Sequence, residues 1–118
     1  MPTITPVQDN SNDDFTKITW SGIADGDTIL PVKGLSEFAD RSVQVGGADL
    51  DGATVTVQGS NDQSSFFTLN DPLGNVLSFT TAGLKQILEY TDHVKPATTG
   101  GGGSQSVDIT LIAKRARR

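Results

Sequence analysis

Residues 53–69 restrict the possible folds of this chain more than any other segment. Val55 and Val57 alternate with Thr54, Thr56 and Gln58, and side chains two apart on a strand share one face of the pleat. The turn formers of residues 59–65 interrupt the run, which resumes at Phe66 and continues to Leu69. This order predicts a β-hairpin. With 13 glycines and 5 prolines among 118 residues, the chain is punctuated too often for long helices, so the hairpin belongs to an all-β domain.

The remaining segments fit that class. Phe15, Lys17 and Thr19 alternate with Thr16, Ile18 and Trp20, and Ser21 and Gly22 end the run. Residues 28–30 predict a second short strand that Pro31 confines to an edge or bend. Residues 41–45 predict a third, and the link at 35–40 suits one helical turn. Asp71, Pro72 and Gly74 carry turn chemistry ahead of a strand at 76–80. Residues 81–89 are ambiguous, because Leu84, Ile87 and Leu88 are spaced as a helical face while Gly83 and the short run favour an irregular crossing. Residues 90–98 predict a further strand, and the glycine run at 100–103 can close a hairpin onto the last one. That last strand alternates Val107, Ile109, Leu111 and Ala113 with Asp108, Thr110 and Ile112. The total is about seven to eight short strands, which suits an antiparallel β-sandwich or jelly roll.

Three regions emerge. Residues 1–14 hold two prolines and a polar run, and read as an extended N-terminal arm too poor in apolar side chains to bury itself. Residues 15–113 form the sandwich. Residues 114–118 form a basic tail: Lys114, Arg115, Arg117 and Arg118 carry four positive charges on a chain of net charge −5, leaving −9 on the rest. Such an acidic body argues against nucleic-acid binding. The tail reads equally as an electrostatic anchor and as a solvated terminus.

Absent residue types exclude much chemistry. No cysteine is present, which removes disulfides and cysteine metal clusters. His93 is the single histidine, so histidine-rich zinc sites and two-histidine relays are excluded, and no nucleophile elbow supports a catalytic triad. Asp25 and Asp27, and Asp49 and Asp51, are the best calcium candidates, but neither pair extends into a calcium-binding loop and both read better as turns. No catalytic residue, cofactor or metal is assigned. The sequence also lacks an apolar run of membrane-spanning length and a signal-peptide layout, which predicts a soluble product without a membrane partner. Among the aromatics, Trp20 and one of Phe66 and Phe67 are expected in the core, leaving the other phenylalanine for an interface.

Residues 57–62, the aromatic that follows, and residues 69–80 together resemble the small β-sandwich capsid decoration, or cement, proteins of tailed bacteriophages. Residues 94–97 and the glycine-rich turn before residues 106–113 fit the same pattern, so the likeness covers about the last two thirds of the chain. The resemblance implies a non-enzymatic virion protein, made in the host cytoplasm, that binds the capsid exterior as a homotrimer and bridges neighbouring copies of the major capsid protein. The contact residues it suggests are Thr3, Ile4 and Val7 in the arm, Phe66 or Phe67, and Lys114, Arg115, Arg117 and Arg118 in the tail. The glycine, serine, asparagine and aspartate of residues 59–62 also resemble a hairpin of discoidin-like carbohydrate-binding domains. That alternative implies a glycan-binding module displayed for host attachment, built on Asn61, Asp62 and Gln63 beside Phe66.

Overall fold

The computed structural model describes residues 3–11 and 14–115, without the side chains of Ser36 and Ala48. Within them run eleven strands: β1 Thr3–Ile4, β2 Val7–Asp9, β3 Phe15–Ile23, β4 Thr28–Ile29, β5 Phe38–Asp49, β6 Thr54–Ser60, β7 Phe67–Thr68, β8 Ser78–Phe79, β9 Gly83–Ile87, β10 His93–Thr99 and β11 Ser106–Arg115. One 3-10 turn, Leu35–Glu37, supplies the single helical turn anticipated ahead of β5. The chain is all-β, and the strand count exceeds the seven to eight read from sequence. The surplus is β9, in the stretch whose spacing is ambiguous, together with β1 and β2, which are only two and three residues long. A period-two pattern cannot be recognised over so few residues.

Two main sheets face each other. The first has strand order β2-β3-β11-β5-β9, and the second has β10-β6-β7 with β8 also paired to β6. Every pairing in them is antiparallel, whereas β1 and β4 form a separate parallel ribbon. The inner face of the first sheet buries Ile18, Trp20, Val43, Val45, Ile109 and Leu111 in one core with Val55, Val57, Phe79 and Val94 of the second and Leu77 just ahead of β8. Burying each such side chain is worth about 1.5–3 kcal/mol. Trp20 is 1% exposed, and its indole N–H donates to the carbonyl of Leu30 at 2.8 Å, so the largest core side chain leaves no polar atom unpaired.

Several expectations are corrected by the pairing. Residues 3–9 do not stand apart from the domain: β2 adds to the edge of β3, β1 pairs with β4, and Ile4 packs against the core. Residues 83–87, whose spacing left a helical face or an irregular crossing open, form a strand, since β5 pairs the backbone groups along one of its edges. The glycine run closes no hairpin, because β10 and β11 lie in different sheets and the turn crosses between them. It is held in place by Asp51, whose carboxylate accepts from the Ser104 amide at 3.0 Å. The final strand also continues past Ala113 through Lys114 and Arg115, so the described start of the basic tail lies inside the sheet.

A bulge at Gly47 lets β5 remain paired with β11 beyond residue 46, past the strand read at 41–45. Gly47 has φ +112, and a Cβ there would lie 2.6 Å from the Ser106 carbonyl oxygen and 2.8 Å from the Asp108 nitrogen. Only glycine fits so close to a neighbouring backbone. The tryptophan gives the most direct check on this packing. Trp20→Ala is expected to cost about 3–5 kcal/mol, read as a lower urea midpoint with unchanged slope.

Candidate functional site

The central hairpin pairs as anticipated, with Gln58 opposite Thr68 and Gly59 opposite Phe67. Its loop is organised by one carboxylate. Asp62 Oδ1 accepts from the Ser64 amide at 2.8 Å, from the Ser65 amide at 2.9 Å and from the Ser60 hydroxyl at 2.8 Å. Ser60 Oγ in turn accepts from the amides of Asp62 and Gln63. The amides of Ser65 and Ser64, followed by the Ser60 hydroxyl, hold the Asp62 carboxyl at about 2, below its ordinary 3.8. Asn61 ties the loop to the other side of the site, its Oδ1 accepting from the Asp92 amide at 3.1 Å.

Opposite the loop lies the connection between β9 and β10. Burial raises the Glu89 carboxyl, but bonds from Asn70 outweigh it and leave the group below its ordinary value. Those bonds run from the Asn70 amide to Oε1 at 2.7 Å and from Asn70 Nδ2 to Oε2 at 2.6 Å. Between the loop and this connection opens a cleft of about 360 Å³, lined by Asn61, Asp62, Phe67, Thr68 and Glu89 among others. Gly59 forms part of its wall: a Cβ there would lie 2.6 Å from Thr91 Oγ1 and 3.0 Å from Leu69 Cδ2. A second cleft, of about 280 Å³, adjoins Glu89 from the other side and is lined by Arg41, Pro72, Leu88 and Tyr90.

Arg41 is a clasp within the fold. It is 2% exposed, and it donates from Nη2 to the carbonyls of Leu35 and Phe38 and from Nε to Phe38. Its guanidinium lies 4.9 Å from the centre of the Tyr90 ring. Burial pushes its pKa below the ordinary guanidinium value, opposed by Tyr90 and Asp92. Carbonyls and an aromatic face thus take the place of a carboxylate partner, and no acid lies at ion-pair distance from Arg41 among the described residues.

The residues singled out from sequence are scattered over the surface. Thr3 is exposed and Ile4 half-buried, while Val7 is 69% exposed on β2. Neither phenylalanine of the hairpin enters the core, contrary to the alternation argument. Phe66 is half-buried with the Lys95 ammonium 4.7 Å from its ring centre, Phe67 is 71% exposed, and Leu69 takes the buried position. Strand β7 is too short to carry alternation back to residue 66. Lys114 is exposed. Arg115 pairs with Glu37 at 3.1 Å and stacks over Phe38, whereas Arg117 and Arg118 lie outside the described residues.

The other candidates resolve into structure. His93 is 7% exposed, and its Nδ1 lies 3.5 Å from Asp92 Oδ2, beyond a good hydrogen bond. Asp27 accepts from the Ala24 amide and Asp49 from the Asp51 amide, which is turn capping. Among the described residues no three histidine, aspartate or glutamate side chains gather as a metal would require. Gln63 lies on the exposed loop, but is not among the cleft's lining residues. Sequence reasoning also missed Glu89, because its place beside Asn61 depends on a crossover that no local pattern announces.

The first sheet's other face forms a second feature. Register places Val7, Thr19, Thr110, Gln44 and Leu84 in one row across all five strands. The adjacent row is Asp9, Lys17, Ile112, Ser42 and Gln86. Only Asp9 and Lys17 in these rows are charged, and they face each other. Neither a family model nor a curated protein nor a solved structure matches the chain significantly.

The Asp62 cap has a pH signature. A carboxyl whose folded pKa is depressed contributes stability above its unfolded value and loses it as pH falls through the folded value. The Ser64 and Ser65 amide resonances are therefore expected to titrate with a midpoint near 2, against the ordinary 3.8. The loop holds above about pH 4 and loosens toward pH 2. A midpoint near 4 in an NMR titration would show that the carboxylate does not organise the loop.

Proposed function

We propose that this protein is a non-enzymatic capsid decoration protein, which binds the outside of an assembled bacteriophage head and bridges neighbouring copies of the major capsid protein. The observation that supports the reading most is the outer face of the five-stranded sheet. On a chain of net charge −5, that face presents a row without charge, from Val7 at one edge to Leu84 at the other. Val7 and Leu84 are 69% and 65% exposed, and Ile112 in the next row is 41% exposed.

A flat face with apolar side chains at its edges and threonine, serine and glutamine between them suits contact with another protein surface. Apolar groups supply burial, and the hydroxyls and amides retain hydrogen-bonding capacity at an interface. Threefold repetition on a capsid multiplies a modest contact, so a homotrimer at a symmetry position would hold several subunits at once. Lys114 extends the face at one end, opposite Phe15 in the register. The tail arginines Arg117 and Arg118 follow it in sequence and would add salt-sensitive pairing with acidic groups on the shell. Ile4 already packs against the core, and Phe67 belongs to the other sheet, so this face uses neither.

Co-sedimentation with expanded capsids lacking the protein tests the reading. Saturable binding at a fixed ratio to the capsid protein, with particles rupturing at higher temperature, is the expected result. Leu84→Glu and Ile112→Glu should each weaken binding about tenfold or more while leaving the melting temperature within a few degrees, since both side chains are exposed. A chain ending at Arg115 should bind with a flatter salt dependence. Absence of binding by the intact protein, or binding unaffected by both glutamate substitutions, would overturn the assignment.

A further inference from the structure

We propose that the cleft between the 61–65 loop and the β9–β10 connection binds a neutral pyranose, with the sugar's C–H face on Phe67 and adjacent hydroxyls on Asp62 and Glu89. This activity is separate from capsid binding and lies on the four-stranded sheet. The cleft, at about 360 Å³, falls at the small end of the range of about 300–1,000 Å³ for small-molecule sites.

The lining fits a sugar group by group. Phe67 is 71% exposed at its edge, and an exposed ring offers a flat apolar surface to the C–H groups of a pyranose. Asp62 uses only Oδ1 within the loop, so Oδ2 has no partner among the described residues and can accept from a hydroxyl. Each Glu89 oxygen accepts one bond from Asn70 and keeps a lone pair for a second. Asn61 has its oxygen committed to Asp92, which fixes the amide and leaves Nδ2 as a donor without a described partner. Two fixed carboxylate acceptors and one fixed donor complement a polyol, whose hydroxyls both donate and accept.

Charge narrows the class. Among the described residues no lysine, arginine or histidine lines the cleft, and two carboxylates would repel a sialylated, sulfated or phosphorylated sugar. An ammonium or guanidinium group is the competing occupant, since it could lie over Phe67 beside the carboxylates. It would leave the Asn61 donor unused, so the mixed donor and acceptor lining favours the neutral sugar.

Saturation-transfer NMR on the intact protein decides the matter. The probes are the methyl pyranosides of glucose, galactose, mannose and N-acetylglucosamine, with sialyllactose and n-butylammonium as charged contrasts. At least one neutral glycoside is expected to receive saturation at its ring protons, with none at the sialic acid. Phe67→Ala should weaken binding about tenfold. Asp62→Asn should weaken it as well, because it keeps an oxygen for the Ser64 and Ser65 amides while replacing the free acceptor by a donor. Both side chains are exposed, and an unchanged melting temperature separates loss of the site from loss of the fold. No transfer to any neutral glycoside, transfer that survives Phe67→Ala, or preferential binding of n-butylammonium would overturn the proposal.

Discussion

The pleat of β11 divides this protein into an inside and an outside, and both surfaces of interest inherit that division. The strand pairs with β3 on one side and β5 on the other, so every backbone group along its middle has a partner and its register is fixed. Val107, Ile109, Leu111 and Ala113 then all point into the core, each at most 1% exposed. Thr110 and Ile112 necessarily point out. A slip of one residue would exchange the two sets and place four apolar side chains in water. The core and the outer face are therefore specified by the same ten residues.

The outer face holds an uncharged row on an acidic chain because many of the carboxylates lie elsewhere. Asp25, Asp27, Asp51, Asp62 and Asp71 sit in turns and loops and Asp49 ends β5, and several of them accept bonds from nearby amides. Many carboxylates thus shape connections, and the outer face of the five-stranded sheet keeps one row, from Val7 to Leu84, without charge beside positions that carry Asp9, Lys17, Asp108 and Lys114. The cleft at Phe67 has the opposite character, with carboxylates held at fixed positions beside an exposed ring. The first surface suits a flat protein partner and the second a small polyhydroxylated ligand.

Sequence reading succeeded where a local pattern was long enough to be unambiguous. The alternation at 106–113 and the hairpin at 54–60 with 67–68 appear as expected, and the turn at residues 71–74 closes through the Gly74 amide on the Asp71 carbonyl at 2.9 Å. It failed where tertiary pairing decided the outcome. Leu84, Ile87 and Leu88 have helical spacing, but β5 presents an open edge that residues 83–87 complete. Phe66 and Phe67 could not be assigned by alternation because Leu69 fills the core position. Asn61 and Asp62 were legible as polar groups near an aromatic. Glu89 and Tyr90 reach the neighbouring clefts only through the order in which the strands are laid down.

The central claim is that the five-stranded sheet turns its outer face to a capsid shell, and a cryo-electron microscopy reconstruction of decorated heads measures that orientation directly. The account predicts density in which Thr110, Ile112 and Leu84 face the shell, with copies related by a threefold axis and the Phe67 cleft open to solvent. Density with the four-stranded sheet against the shell, or with the outer row facing solvent, would contradict it.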